Sequence, residues 1–218
     1  MLGLRQITPK RDDASVGIGF VDVLFALVIG QALLSVTWRD VHRISGTKAA
    51  DLLVAVVVTL TSWIGYHNSL NRPKFKIRFI NWPLTQFILD ILMVFVYWLL
   101  VTSSGLARSI HHPDGVTAGL VLAAFVLYCL WDFVSNRIVR QAKYQDLLDD
   151  RGEYSGVDWF RFVTTWGCTL ACLIIWRIAV QFNTTITSTL IIDGALVVTA
   201  VVFRLLKDSK IDNVHRQF

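Results

Sequence analysis

Seven ionisable side chains fall in or beside segments of this chain that are otherwise apolar enough for lipid. They are Asp22, Asp90, Asp132, Asp193, Arg161 and Arg177, with His67 near the end of one segment. A carboxylate at the centre of a membrane helix costs roughly 2.5–3.5 kcal/mol on insertion scales. Several left unanswered would cost on the order of 10 kcal/mol, comparable to the stability of a whole domain. Such groups must be paired, protonated or beside water. Two chemistries are then open: a buried polar clasp that fixes helix registry, or a relay for protons or ions. The two are compatible, because breaking a buried pair also changes a conformational equilibrium.

The elements that carry these groups follow from composition. The chain has 218 residues, 54% hydrophobic and only 17% charged, against roughly 25% charged in an average soluble domain. A soluble fold this short has too little interior to hide so much apolar surface. Disorder, a fibre, a disulfide scaffold and a cytosolic enzyme all fit poorly. The sequence predicts an all-α membrane protein. Six windows are long enough to cross a bilayer: about 16–37, 49–67, 83–104, 116–135, 159–181 and 184–206. They fill most of residues 1–218 as one membrane domain, without a separate soluble unit. The first window is preceded by Lys10 and Arg11 but has no small-residue cleavage pattern, so it reads as retained.

Orientation comes from the Lys and Arg on alternate sides. The amino-terminal tail, second loop, fourth loop and carboxyl tail (from Arg204 onward) hold fifteen, and the opposite loops hold four. Both termini are therefore expected in the cytoplasm. The formal charge of +5 is an orientation code rather than a footprint for nucleic acid. A multi-pass membrane protein is expected. Trp38, Trp82 and Trp159 fall at the expected interfaces. Between Asn136 and Asp150, apolar residues alternate with charges, so the fourth helix is expected to continue into the cytoplasm over about 137–150.

With this topology Asp22, Asp90, Arg161, His67 and Asp132 share one layer in the cytoplasmic half, the expected clasp. Arg177 and Asp193 flank the short fifth loop and are expected to pair nearer the outer side. At about 100° per residue, Asp22, Ala26, Ile29 and Leu33 form one stripe of the first helix. Phe20, Leu27, Gln31, Leu34 and Trp38 form another on the far side. The first stripe is expected to face the bundle and the second something else. Gln31 argues against lipid, because an amide in hydrocarbon needs a partner or water.

No nucleotide loop, zinc-hydrolase pair or nucleophile elbow is present, so no enzyme, cofactor or metal is expected. His111 and His112 lack a third spaced ligand, and Cys168 and Cys172 lack a partner His. Both pairs read as ordinary turn and packing residues.

The run Phe20-Val21-Asp22-Val23-Leu24-Phe25-Ala26-Leu27 resembles the first-helix signature of the transmembrane protein 175 family of potassium channels. Phe20, Asp22, Phe25 and Ala26 match the motif, and Leu27 stands at its bulky aliphatic position. Trp63-Ile64-Gly65-Tyr66-His67-Asn68 is similar to that family's second-helix ending. The motif's Arg and Ser positions hold Val16 and Val21 here, and the similarity covers about 20 residues. The resemblance implies a homotetramer in the bilayer that passes monovalent cations, potassium first among them. Leu27 would form a hydrophobic constriction, with Gln31 and Leu34 further along the pore. Two rival classes fit the same composition. One is a proton-coupled transporter with the acidic residues as carriers, and the other a non-conducting subunit or scaffold of a bacterial complex.

Overall fold

Backbone N–H and C=O groups find no water in a bilayer, so long apolar runs of this kind must satisfy them within helices. The chain does so throughout its described parts. A computed structural model describes residues 13–34, 46–69, 82–106, 113–144, 159–181 and 185–215. These form six α-helices: α1 (Asp13–Leu34), α2 (Gly46–Ser69), α3 (Trp82–Leu106), α4 (Pro113–Tyr144), α5 (Trp159–Gln181) and α6 (Ile186–His215). Pro83 and Pro113 sit in the first turns of α3 and α4, where a missing N–H costs nothing.

Five helices are long and apolar enough to cross a membrane, over Gly46–His67, Trp82–Ser103, Gly115–Ile138, Phe160–Gln181 and Ile186–Asp208. In α1 the apolar stretch among the described residues is the shorter Phe20–Leu34. The end of the first expected span, 35–37, lies outside the described residues, as do Trp38 and the His111-His112 pair. The expected extension of the fourth helix is helical as far as Tyr144, and 145–150 lie outside the described residues. Helix α6 runs past its expected end at 206 to His215.

Helices α2, α3, α4 and α6 close a ring, each packed on the next. Helix α1 rests on α2 and α3, and α5 rests on α4 and α6. Tyr97, Leu100, Phe125 and Leu196 fill the centre and are fully buried. The Phe125 ring meets Phe203 edge-on at 5.1 Å, tying α4 to α6. Small residues let the backbones approach, as expected where lipid offers no hydrophobic drive between helices. A Cβ on Gly119 would lie 3.2 Å from Trp176 Nε1, so the glycine admits that indole between α4 and α5.

Threonine hydroxyls are answered inside their own helices. Thr59, Thr169 and Thr199 each donate to the carbonyl four residues earlier, at 2.7–2.8 Å. Polar side chains thus enter apolar helices without leaving donors open. Outward surfaces are apolar, with Phe95 and Trp98 stacked at 5.9 Å on the free face of α3.

Candidate functional site

The end of α2, the end of the apolar part of α6 and the starts of α3 and α5 surround a cleft lined by both apolar and polar side chains. Its walls come from all six helices: Phe25, Tyr66, Asp90, Tyr128, Arg161, and Arg204 with Lys207. The cleft holds about 570 Å³ of empty space, its open mouth included. A hydroxyl chain runs into it from α2: Ser62 Oγ lies 2.7 Å from Tyr97 Oη, which donates to Tyr128 Oη at 3.2 Å.

The five residues expected in one clasp divide among three places. Asp22 and His67 do meet, with Nε2 of the imidazole 3.5 Å from Oδ1 of the carboxylate. Trp63 Nε1 donates to the same oxygen at 3.2 Å, and the Trp63 and His67 rings pack at 4.4 Å. This α1–α2 contact is half-exposed. Asp90 instead accepts from Trp131 Nε1 at 3.0 Å, a buried bond between α3 and α4. Arg161 lines the same cleft as Asp90. Asp132 turns away from both. Its Oδ1 and Oδ2 accept from Lys207 Nζ at 3.0 and 2.8 Å, and Oδ2 accepts from Thr165 Oγ1 at 2.6 Å. The reason is angular. Trp131 and Asp132 are neighbours, about 100° apart around α4, so one reaches α3 and the other α5 and α6.

The expected Arg177–Asp193 pair does not form. Arg177 is exposed and its guanidinium lies 5.4 Å over the Trp176 ring, whereas Asp193 is buried. An arginine with an aromatic platform on the surface gains more there than by entering the helix interface. At the same end of the bundle, Thr117 Oγ1 donates to the buried Asp51 Oδ1 at 2.9 Å, a pair not singled out by the sequence.

The first helix turns differently from its expected stripes. Val21, Phe25, Val28 and Ala32 are the buried face, while Ala26 and Leu33 are exposed and Asp22 sits at the margin. Placing the carboxylate at the centre of the inward stripe shifted the phase. Apolar packing sets the phase instead: Phe25 stacks on Tyr97 at 5.9 Å, and Phe20 lies 6.1 Å from Phe87. Leu27 and Leu34 are 63% and 73% exposed, and Gln31 is exposed between them.

Lys207 and Arg204 are the main residues that sequence reasoning missed. By position they read as tail charges, yet Lys207 is only 7% exposed and Arg204 is partly buried. The signal was present, because apolar periodicity in α6 continues through Phe203 and past Arg204. Setting both aside still leaves the loop-charge asymmetry about threefold. Among the described residues no cluster of three metal-ligating side chains exists. Cys129, Cys168 and Cys172 are free thiols, Cys129 Sγ lying 3.2 Å from Thr169 Oγ1.

These features define an all-helical, multi-pass class of membrane protein. The chain matches no family model, no curated protein and no solved structure.

Proposed function

We propose that four copies of this chain assemble around α1 and pass monovalent cations, potassium among them, along the axis, with six spans per copy. Both termini then lie in the cytoplasm, on the inner membrane of a bacterium. The observation that carries this reading is Gln31, exposed between Leu27 and Leu34 on the free face of α1. A primary amide has no reason to face acyl chains, and around an axis four of them would substitute for part of an ion's hydration. Leu27 would narrow the path one turn away and gate it by dewetting. Among the described residues helix α1 packs mainly on α2 and α3, which leaves its outer side available to other copies. Phe25, stacked on Tyr97, holds α1 to the bundle from behind, and Asp22 adds a weaker tie through Trp63 and His67.

The test is cross-linking between copies in the membrane. Gln31→Cys is expected to give disulfide-linked dimers on oxidation, and the full-length protein to run as a fourfold assembly. A cysteine at Leu170 on α5 should not cross-link. A monomer with no cross-link at position 31 would overturn the reading.

A further inference from the structure

We propose that the cleft at the α2–α6 end is a binding site for a phosphate group. This inference is independent of the pore around α1, because it rests on residues inside one copy.

Three cations and one carboxylate line the cleft: Arg161, Arg204, Lys207 and Asp90. The carboxylate is already engaged, Oδ1 of Asp90 accepting from Trp131 Nε1. Two of the cations are anchored. Arg204 binds Asp208 through Nε and Nη2, a bidentate grip one turn along α6. That grip leaves Nη1 at the other edge of the guanidinium, against Gly65 of α2. A Cβ on Gly65 would lie only 2.5 Å from Nη1, so the glycine is what lets this edge reach the cleft. An arginine held along one edge presents its remaining N–H groups in a fixed direction, suited to phosphate oxygens. Lys207 is fixed by both oxygens of Asp132 and by the Phe203 ring 4.7 Å away, and its charge is balanced there, so the arginines carry the proposed contacts.

The hydroxyl chain completes the set. Tyr97 donates to Tyr128, so the Tyr128 hydroxyl keeps its own proton for an acceptor in the cleft. Donors thus converge from α4, α5 and α6. A tetrahedral group carrying only acceptor oxygens can take bonds from three walls at once, which a planar carboxylate does less well. The cleft also opens at a bundle end, the depth at which basic pockets between membrane helices meet anionic headgroups. The same chemistry comes from two sources, an anionic lipid headgroup and free phosphate.

The experiment uses the full chain in detergent, with thermal unfolding and native mass spectrometry as readouts. Inorganic phosphate is compared with chloride at matched ionic strength, and phosphatidylglycerol with diacylglycerol of the same acyl chains. At least one phosphate probe is expected to bind and to raise the unfolding temperature above its control. Phosphatidylglycerol alone would assign the headgroup, and inorganic phosphate at millimolar concentration the free anion. Arg161→Gln with Arg204→Gln should weaken the effect at least tenfold. Arg137→Gln, whose guanidinium lies over Phe133 outside the cleft, should leave it unchanged. Gly65→Ala keeps every charge but displaces Nη1, and should weaken binding about as much as losing Arg204. If the double variant fails to fold, Gly65→Ala and Tyr128→Phe decide, and unchanged binding in both would overturn the proposal. Equal behaviour of each probe and its control, or an Arg137→Gln loss as large as that of the double variant, would also overturn it.

Discussion

Helices α1 and α5 occupy equivalent positions, each laid against two members of the inner ring, and their outer faces differ. The free face of α5 is apolar along most of its length, with Trp166 53% and Leu170 58% exposed, until Arg177 near its end. The free face of α1 carries Gln31 between exposed leucines. Small residues do not separate the two. Ala26 and Gly30 on α1, and Gly167 and Ala171 on α5, stand one turn apart, and nothing lies within 4 Å of a Cβ built on either glycine. The place of an amide does separate them: Gln31 lies inside the apolar run of α1 between exposed leucines, whereas the exposed Gln181 ends α5. A helix that faces lipid can be wholly greasy, whereas one that carries an amide within its apolar run needs another protein surface or water.

Their roots differ as well. Helix α5 is fastened by Thr165 to Asp132, and Asp132 to Lys207, a desolvated charge pair. Helix α1 is fastened mainly by aromatic packing of Phe25, with Asp22 contributing from a half-exposed margin. The largest expected effect follows from the first. Lys207→Met strands a buried carboxylate and should cost about 3–5 kcal/mol in thermal unfolding. Adding Asp132→Leu should recover most of that loss. If the single substitution were neutral, the two roots would not differ in the way described. Phe25→Ala, which empties the seat of α1, is expected to cost about 3 kcal/mol by the same measurement.

The faces are compared by flux into liposomes. Leu27→Ala should raise cation flux roughly tenfold, equivalent to about 1.4 kcal/mol of barrier, while Leu170→Ala on α5 should leave it unchanged. Equal responses would erase the distinction between the faces. The smallest effect is expected for Asp22→Asn, under about 1 kcal/mol of stability, because its partners are half-exposed and screened. A loss as large as that of Lys207→Met would move Asp22 into the class of buried pairs.

Helix positions were legible because lipid demands a long apolar run for each crossing, and that requirement is written in consecutive residues. The presence of unusual charges was legible for the same reason. Their partners were not. Asp132 was grouped with Asp22 and Asp90 by depth alone, but depth fixes height and leaves angle open. The adjacent Trp131 takes the direction toward α3, and Asp132, about 100° further round, the direction toward α5 and α6. Depth also hid Lys207, whose long stem lets a residue near the end of a span reach back into it. For α1 the amphipathic phase is ambiguous because nearly every residue is apolar, and a single carboxylate does not fix it. Packing of Phe25 against Tyr97 decided it, a contact between residues distant in the chain.

The threonines that bond within their own helices need nothing from later parts of the chain, but Asp132 does. Its hydroxyl partner comes 33 residues after it and its ammonium partner 75 residues after it. During synthesis α4 therefore enters the bilayer before its counter-ion has been made. The ribosome must finish most of α6 before the fourth crossing settles, so the order of translation sets the order in which the bundle closes.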